Sequence, residues 1–206
     1  MTNRSRLVAV TAAALVTLLS ACSGSTTTVE SAARTSAAPT SEAPATTEAI
    51  ACHDTLVEQT EGPYYTPGAP ERTDITGDAT VGISLTLTGR VLDASCAPVA
   101  GAPIEFWQAD GAGVYDNSGY ELRGAQVTDA NGAYTLDTVI PGIYPSRTEH
   151  IHVKVTGPDG VLHTTQVYFP DVPQNDSDGI YSETMVVTVT DRTDDSMAAT
   201  FDFVLP

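Results

Sequence analysis

The chain is 206 residues long and carries 26 acidic against 9 basic side chains, for a formal net charge of −17. A protein that acidic repels nucleic acid and anionic lipid headgroups, which excludes partners held by a basic surface. Its length allows one domain with a real core beside a segment of different composition at the start.

Arg4 and Arg6 precede an apolar run from Leu7 to Leu19 that is too short to span a membrane as a helix. Residues 1–21 have the layout of a bacterial secretory signal. Leu19-Ser20-Ala21-Cys22 has the form of a lipobox. This predicts cleavage before Cys22, a diacylglyceryl anchor on that cysteine, and a domain exported to the outer face of the cell membrane or beyond it. An ordinary signal peptide with Cys22 incidental is the alternative. Residues 22–50 are mostly Ser, Thr, Ala, Pro and Glu, with no aromatic side chain. Such a stretch buries too little apolar surface to offset chain entropy, and it reads as a disordered tether with a reach of about 30 Å. With Cys22 acylated, Cys52 and Cys96 remain and are expected to pair in an oxidising compartment; two free thiols are the alternative. A metal site needing more than two sulfur ligands is excluded.

From 51 to 206 the pattern has period two. ISLTLTGRVL sets Ile83, Leu85 and Leu87 against Ser84, Thr86 and Thr88. PIEFWQA, AYTLDTV, HIHVKV, TTQVYF, TMVVTVT and ATFDFVL follow, with turns at Ala130-Asn131-Gly132 and Pro158-Asp159-Gly160. Seven or eight strands with short turns predict an all-β fold, an antiparallel β-sandwich. That architecture alone fixes no function. The stretch up to Tyr144 also suits transthyretin-like and adhesin-type binding modules, which are not enzymes.

IYPSRTEHIHVKV, residues 143–155, adds chemistry. On a strand starting near Ile151, His150, His152 and Lys154 share one face, while Ile151, Val153 and Val155 line the other and belong to the core. Imidazoles at i and i+2 suit adjacent positions on one metal. Further ligands must come from Asp, Glu or Tyr, and Tyr144 follows Pro141-Gly142 where a loop returns its ring over the strand. A phenolate donor requires strong electrostatic help and favours an oxygen-loving trivalent ion.

TEGPYYTPGAPERTDI (60–75), FWQADGAGVYDN (106–117), PGIYPSRTEHIHVKV (141–155) and TTQVYF (164–169) occur in that order. Together they resemble the intradiol ring-cleavage dioxygenases. The resemblance implies a mononuclear non-haem Fe(III) with Tyr144 and His152 as axial ligands and Tyr115 and His150 as equatorial ones. It implies that a catechol chelates the iron and displaces Tyr144, which serves as a base. Oxygen from O₂ is then inserted between the two hydroxylated carbons to give a cis,cis-muconate-type product. Arg147 matches the active-site arginine, Gln166 a glutamine that orients it, and Tyr64, or Tyr65 in its place, the substrate mouth. His53 and His163 match no motif.

The chain departs from cytoplasmic members in three respects: Tyr144-Pro145-Ser146-Arg147 lacks an insertion, Glu149 stands where a small residue is usual, and no helical dimerisation segment precedes the domain. The first implies a wide mouth; the second adds charge near the iron; the third leaves oligomeric state open. An exported ferric-catecholate binding protein could use the same four ligands without cleaving the ring.

Overall fold

The computed structural model describes residue 52 and residues 54–77 and 80–206. The signal segment 1–21, Cys22, the tether 22–50 and His53 lie outside the described residues. Alternating apolar side chains produce nine strands among the described residues: β1 (Ser84–Leu92), β2 (Pro103–Trp107), β3 (Arg123–Val127), β4 (Ala133–Val139), β5 (His150–Thr156), β6 (Leu162–Tyr168), β7 (Thr188–Arg192), β8 (Ser196–Thr200) and β9 (Phe203–Val204). Two 3₁₀ turns, Pro173–Ser177 and Glu183–Met185, follow β6.

One sheet runs β4-β1-β8-β7 with β9 also on β1, and the other runs β3-β2-β5-β6. Their inner faces meet through Leu85, Leu87 and Leu136 on one side and Ile104, Phe106, Ile151 and Val153 on the other, all buried. Burying each such side chain contributes roughly 1.5–3 kcal/mol, enough collectively to hold the sandwich against chain entropy.

The sandwich differs from the sequence expectation in three places. β1 pairs with β8 and β9 in parallel, not antiparallel, because these partners come from the far end of the chain and cross to β1 from the same direction. β3 was not anticipated: Arg123 and Gly124, both buried, break the alternation that marks a strand. The expected strand ATFDFVL is two strands, interrupted at Phe201 and Asp202, so the count exceeds eight. Cys52 and Cys96 are disulfide-bonded, Cα to Cα 5.6 Å, which fastens the start of the domain to the turn after β1.

β5 is central in its sheet, and its registers place the site. His152 lies opposite Trp107 of β2 and Gln166 of β6, and His150 lies opposite Tyr168. The core takes Ile151, Val153 and Val155, as alternation predicts, yet the histidine face is buried as well. Residues 59–65 cross over it: Gln59 N donates to Thr164 O at 2.8 Å, and Glu61 pairs with Lys154 at 2.7 Å. Gly62 lies so close over His152 that a β-carbon there would stand 3.4 Å from its Cε1.

Candidate metal centre

Two loops bring tyrosines to the histidine pair. After β2, Asp110 closes a tight turn, its Oδ1 accepting from Ala112 N and Val114 N at 2.9 Å each, and this delivers Tyr115. After β4, the Asp110 carbonyl accepts from Gly142 N at 2.7 Å, which docks the segment carrying Tyr144 on the same turn. Glycine is required at both contacts. A β-carbon at Gly113, whose φ is +80°, would collide with Ile143 O, and one at Gly142 would meet the backbone of Gly111 and Gly113. The two phenol rings consequently stand edge to face, centroids 5.7 Å apart.

His150 Nε2 and His152 Nε2 are 3.2 Å apart, and Tyr115 Oη lies 3.0 Å from the latter and 3.5 Å from the former. The Thr148 carbonyl, 2.6 Å from His150 Nδ1, can only accept. It therefore fixes the proton on Nδ1 and leaves the Nε2 lone pair facing the cluster. Stacking on Trp107, centroids 4.7 Å apart, holds the His152 ring. Tyr144 is the outlying member. Its ring centroid is 5.7 Å from that of His150, while its hydroxyl meets Arg147 Nη1 at 3.5 Å.

Burial, reinforced by the Arg147 charge, pushes the His150 imidazole down to about 4. Burial, then His150, Arg147 and Arg123, hold His152 well below its ordinary value. Both rings are therefore neutral near pH 7, the form that ligates metals. Burial and then Tyr144 raise the Tyr115 phenol, opposed by Arg147 and Arg123. Its ionisation accordingly calls for a strong local positive charge. Two Nε2 atoms 3.2 Å apart, with the Tyr115 oxygen within 3.5 Å of both, form a compact set of three donor atoms that one cation can contact together. The donor set fits a hard, highly charged metal ion. No group of three His, Cys, Asp or Glu converges among the described residues, so any such ion depends on the phenols.

Arg147 and Gln166 flank this cluster. Arg147 Nε donates to Asp178 Oδ2 at 2.9 Å, and Nη2 donates to Gln166 Oε1. Gln166 Nε2 in turn donates to Thr60 O at 2.9 Å. Burial disfavours the Arg147 charge, but the Asp178 hydrogen bond and charge outweigh it and raise its pKa. Tyr64 stacks on Tyr115 at 4.3 Å and, with Gly113, Val114, Asn117, Tyr144 and Pro145, lines a cleft of about 250 Å³ beside the cluster. Of the two tyrosines left open by the sequence, Tyr64 lines this cleft and Tyr65 does not. Tyr65 packs on Trp107, donates to Glu105 and lies under Lys154.

Glu149 is half-buried, its carboxyl pushed up by burial, and bonds to none of the four donors. His163 pairs with Glu58 away from the site. Sequence reasoning missed Asp178, Thr148 and Arg123. The last is a fully buried guanidinium that donates from Nη2 to Asp116 O at 2.8 Å, while its Nε and Nη1 have no partner among the described residues. Its position opposite Trp107 was hidden with the unanticipated β3.

A β-sandwich that converges two imidazoles and two phenols beside an arginine has the framework of a tyrosine- and histidine-ligated metalloenzyme. The family model described as Dioxygenase matches residues 60–206. Among solved structures, the dioxygenase domain of a dioxygenase carbohydrate-binding protein fusion from the cellulolytic bacterium Streptomyces sp. SirexAA-E is similar. It shares 43% identity at a TM-score of 0.70, covering 74% of this chain and 98% of that one. An intradiol ring-cleavage dioxygenase from Tetranychus urticae is similar at 27% identity and a TM-score of 0.66, over 73% of this chain and 94% of that one. Catechol 1,2-dioxygenase of Candida albicans is 27% identical over 149 residues, which is 59% of this chain and 49% of that protein. The chain spans about half the length of the first curated relatives it matches. It belongs to the intradiol ring-cleavage dioxygenase family.

Proposed function

We propose that this domain cleaves a catechol-type ring between its two hydroxylated carbons with O₂, giving a cis,cis-muconate-type product, at one non-haem Fe(III) held by Tyr115, Tyr144, His150 and His152. The observation that carries this reading is the convergence of His150 Nε2, His152 Nε2 and Tyr115 Oη within 3.5 Å of one another, with Tyr144 and Arg147 alongside. A bound ferric ion supplies Lewis acidity toward phenol oxygens and a route for electron density from the substrate to O₂.

The chain's own residues do the rest. The neutral imidazoles offer lone pairs without first losing protons. Tyr144 borders the cleft and has only a long contact to Arg147, so its Oη, once ionised by the bound ferric ion, would be the group placed to take a proton from an arriving catechol hydroxyl. Arg147 stays charged against Asp178 and faces the space where negative charge develops on the ring. Tyr64 and Tyr115 form a flat aromatic wall, and the segment bearing Gly62 keeps water off His152.

The same reading takes the domain to work outside the cytoplasm, exported by residues 1–21 and anchored through Cys22. The Cys52–Cys96 disulfide supports this, since such bonds persist in oxidising compartments. Mass spectrometry of the mature amino-terminal peptide tests it: an acylated Cys22 is the expected species, and an unprocessed Met1 would contradict export.

The activity is tested by loading the purified chain with iron, recording its visible spectrum, then adding catechol in an oxygen electrode while following muconate absorbance. A coloured protein that consumes O₂ and forms muconate is expected. Colour that shifts with catechol without O₂ uptake would replace catalysis by ferric-catecholate binding, and a colourless protein would remove the metal centre.

A further inference from the structure

The turn that carries Arg147 into β5 is gripped from outside the sheet by one later stretch of chain, residues 173–180. Asp178 Oδ2 accepts from Arg147 Nε and from Thr148 N, both at 2.9 Å, and Asp178 Oδ1 accepts from Ile180 N at 3.1 Å. Asn175 Oδ1 accepts from Thr148 Oγ1 at 2.6 Å, and its Nδ2 is anchored on Phe169 O at 2.9 Å. Thr148, fully buried, passes this restraint on, because its carbonyl is the acceptor that orients His150. The Asp178 side chain is 1% exposed against 15% for Arg147.

Every acceptor position of this carboxylate that the chain uses is therefore directed at something. A guanidinium fixed at Nε by Asp178 and at Nη2 by Gln166 has lost its freedom to rotate. Nη1 is left as the nitrogen without a close acceptor, turned toward Tyr144 Oη and the cleft.

We infer that Asp178 is a positioning residue: it aims Arg147 at the reacting ring. This rests on the activity proposed above, and it assigns a role to an aspartate that touches neither substrate nor metal. Asparagine at 178 keeps the shape but cannot accept at both of its polar atoms. Either Arg147 and Thr148 or Ile180 must then face an N–H.

Two measurements test it. In the iron-loaded full chain, Asp178→Asn lowers kcat by about 10- to 100-fold, the range for a lost charge-assisted hydrogen bond, with KM for catechol and the visible band little changed. In an Arg147→Ala background the same substitution costs less than about 3-fold, because its effect runs through the arginine. Equal losses in both backgrounds would overturn the inference.

The second needs no turnover, and its wild-type arm needs no variant. In the ¹⁵N-labelled full chain, metal-free and loaded with diamagnetic Ga(III), the Arg147 Nε–H is protected from exchange. A freely exchanging Nε–H in the wild type overturns the inference even if the enzyme is active. A protected signal that Asp178→Asn abolishes sustains it even if no catechol is cleaved, and in that case only the proposed activity fails.

Discussion

Gly142→Ala tests how the two phenols are brought together. A β-carbon at this position lies 2.5 Å from both the Gly111 carbonyl oxygen and the Gly113 amide nitrogen. Both are backbone atoms, so no side chain can swing aside, and ordinary contact requires about 1 Å more. The Gly142 N–H is also the group that docks on Asp110 O, so the same shift lengthens a 2.7 Å hydrogen bond. Overpacking of this kind costs about 1–3 kcal/mol, a fall in Tm of about 2–4 °C per kcal/mol for a domain of this size. The functional cost is larger. Displacing Tyr144 from Tyr115 and the histidines by about 1 Å is expected to reduce kcat/KM about 100-fold and to weaken iron retention. Differential scanning fluorimetry, oxygen-uptake kinetics and iron stoichiometry read the three effects. A variant with wild-type Tm, iron and turnover would refute the claim that these glycines set the tyrosine pair.

Four further outcomes are expected. His152→Ala or Tyr115→Phe loses iron and colour together, whereas Arg147→Ala keeps both and lowers kcat; a colourless Arg147→Ala would contradict that division of labour. Ser146, at φ +65° in the Tyr144-to-Arg147 turn, occupies backbone space that favours glycine, so Ser146→Gly is expected to raise stability by up to about 1 kcal/mol in a urea titration. Opening the Cys52–Cys96 disulfide, which spans a sequence separation of 44, removes about 4 kcal/mol in the chain-entropy account, measurable as a lower urea midpoint in reductant. Burial pushes the Asp178 carboxyl up, but hydrogen bonds from Thr148, Ile180 and Arg147 prevail and hold it below its ordinary value. Its stabilisation is thus complete above the unfolded carboxylate pKa of about 3.9 and is lost as pH falls through the folded value. The stability difference between wild type and Asp178→Asn should shrink in acid.

The sandwich and most of the centre were legible in the sequence because each leaves a local mark. Period two exposed β1, β4, β5 and β6, and His150 with His152 stood out as imidazoles on one strand face. The motifs located Tyr115, Tyr144, Arg147 and Gln166. What stayed hidden was set by contacts between distant residues. Asp178 is one of three aspartates between 171 and 178, and nothing local distinguishes the one that reaches back 31 positions to Arg147. Arg123 lies on a strand whose buried charge masks its own periodicity. The parallel partners of β1 arise from a crossing at the end of the chain, which alternation cannot orient. Burial of the histidine face was equally illegible, since residues 59–65 read as a loop and only the folded chain shows what they cover.

The disulfide has a mechanical consequence. Residues 54–65 lead to the roof over His152, so a pull on the chain ahead of Cys52 would, without a crosslink, act on the Leu56 N–Val204 O and Gln59 N–Thr164 O bonds and then on that roof. With Cys52 bonded to Cys96, the load passes sideways into the turn between β1 and β2 and is carried by the sheets. The crosslink acts as a strain relief for the segment that covers the histidines.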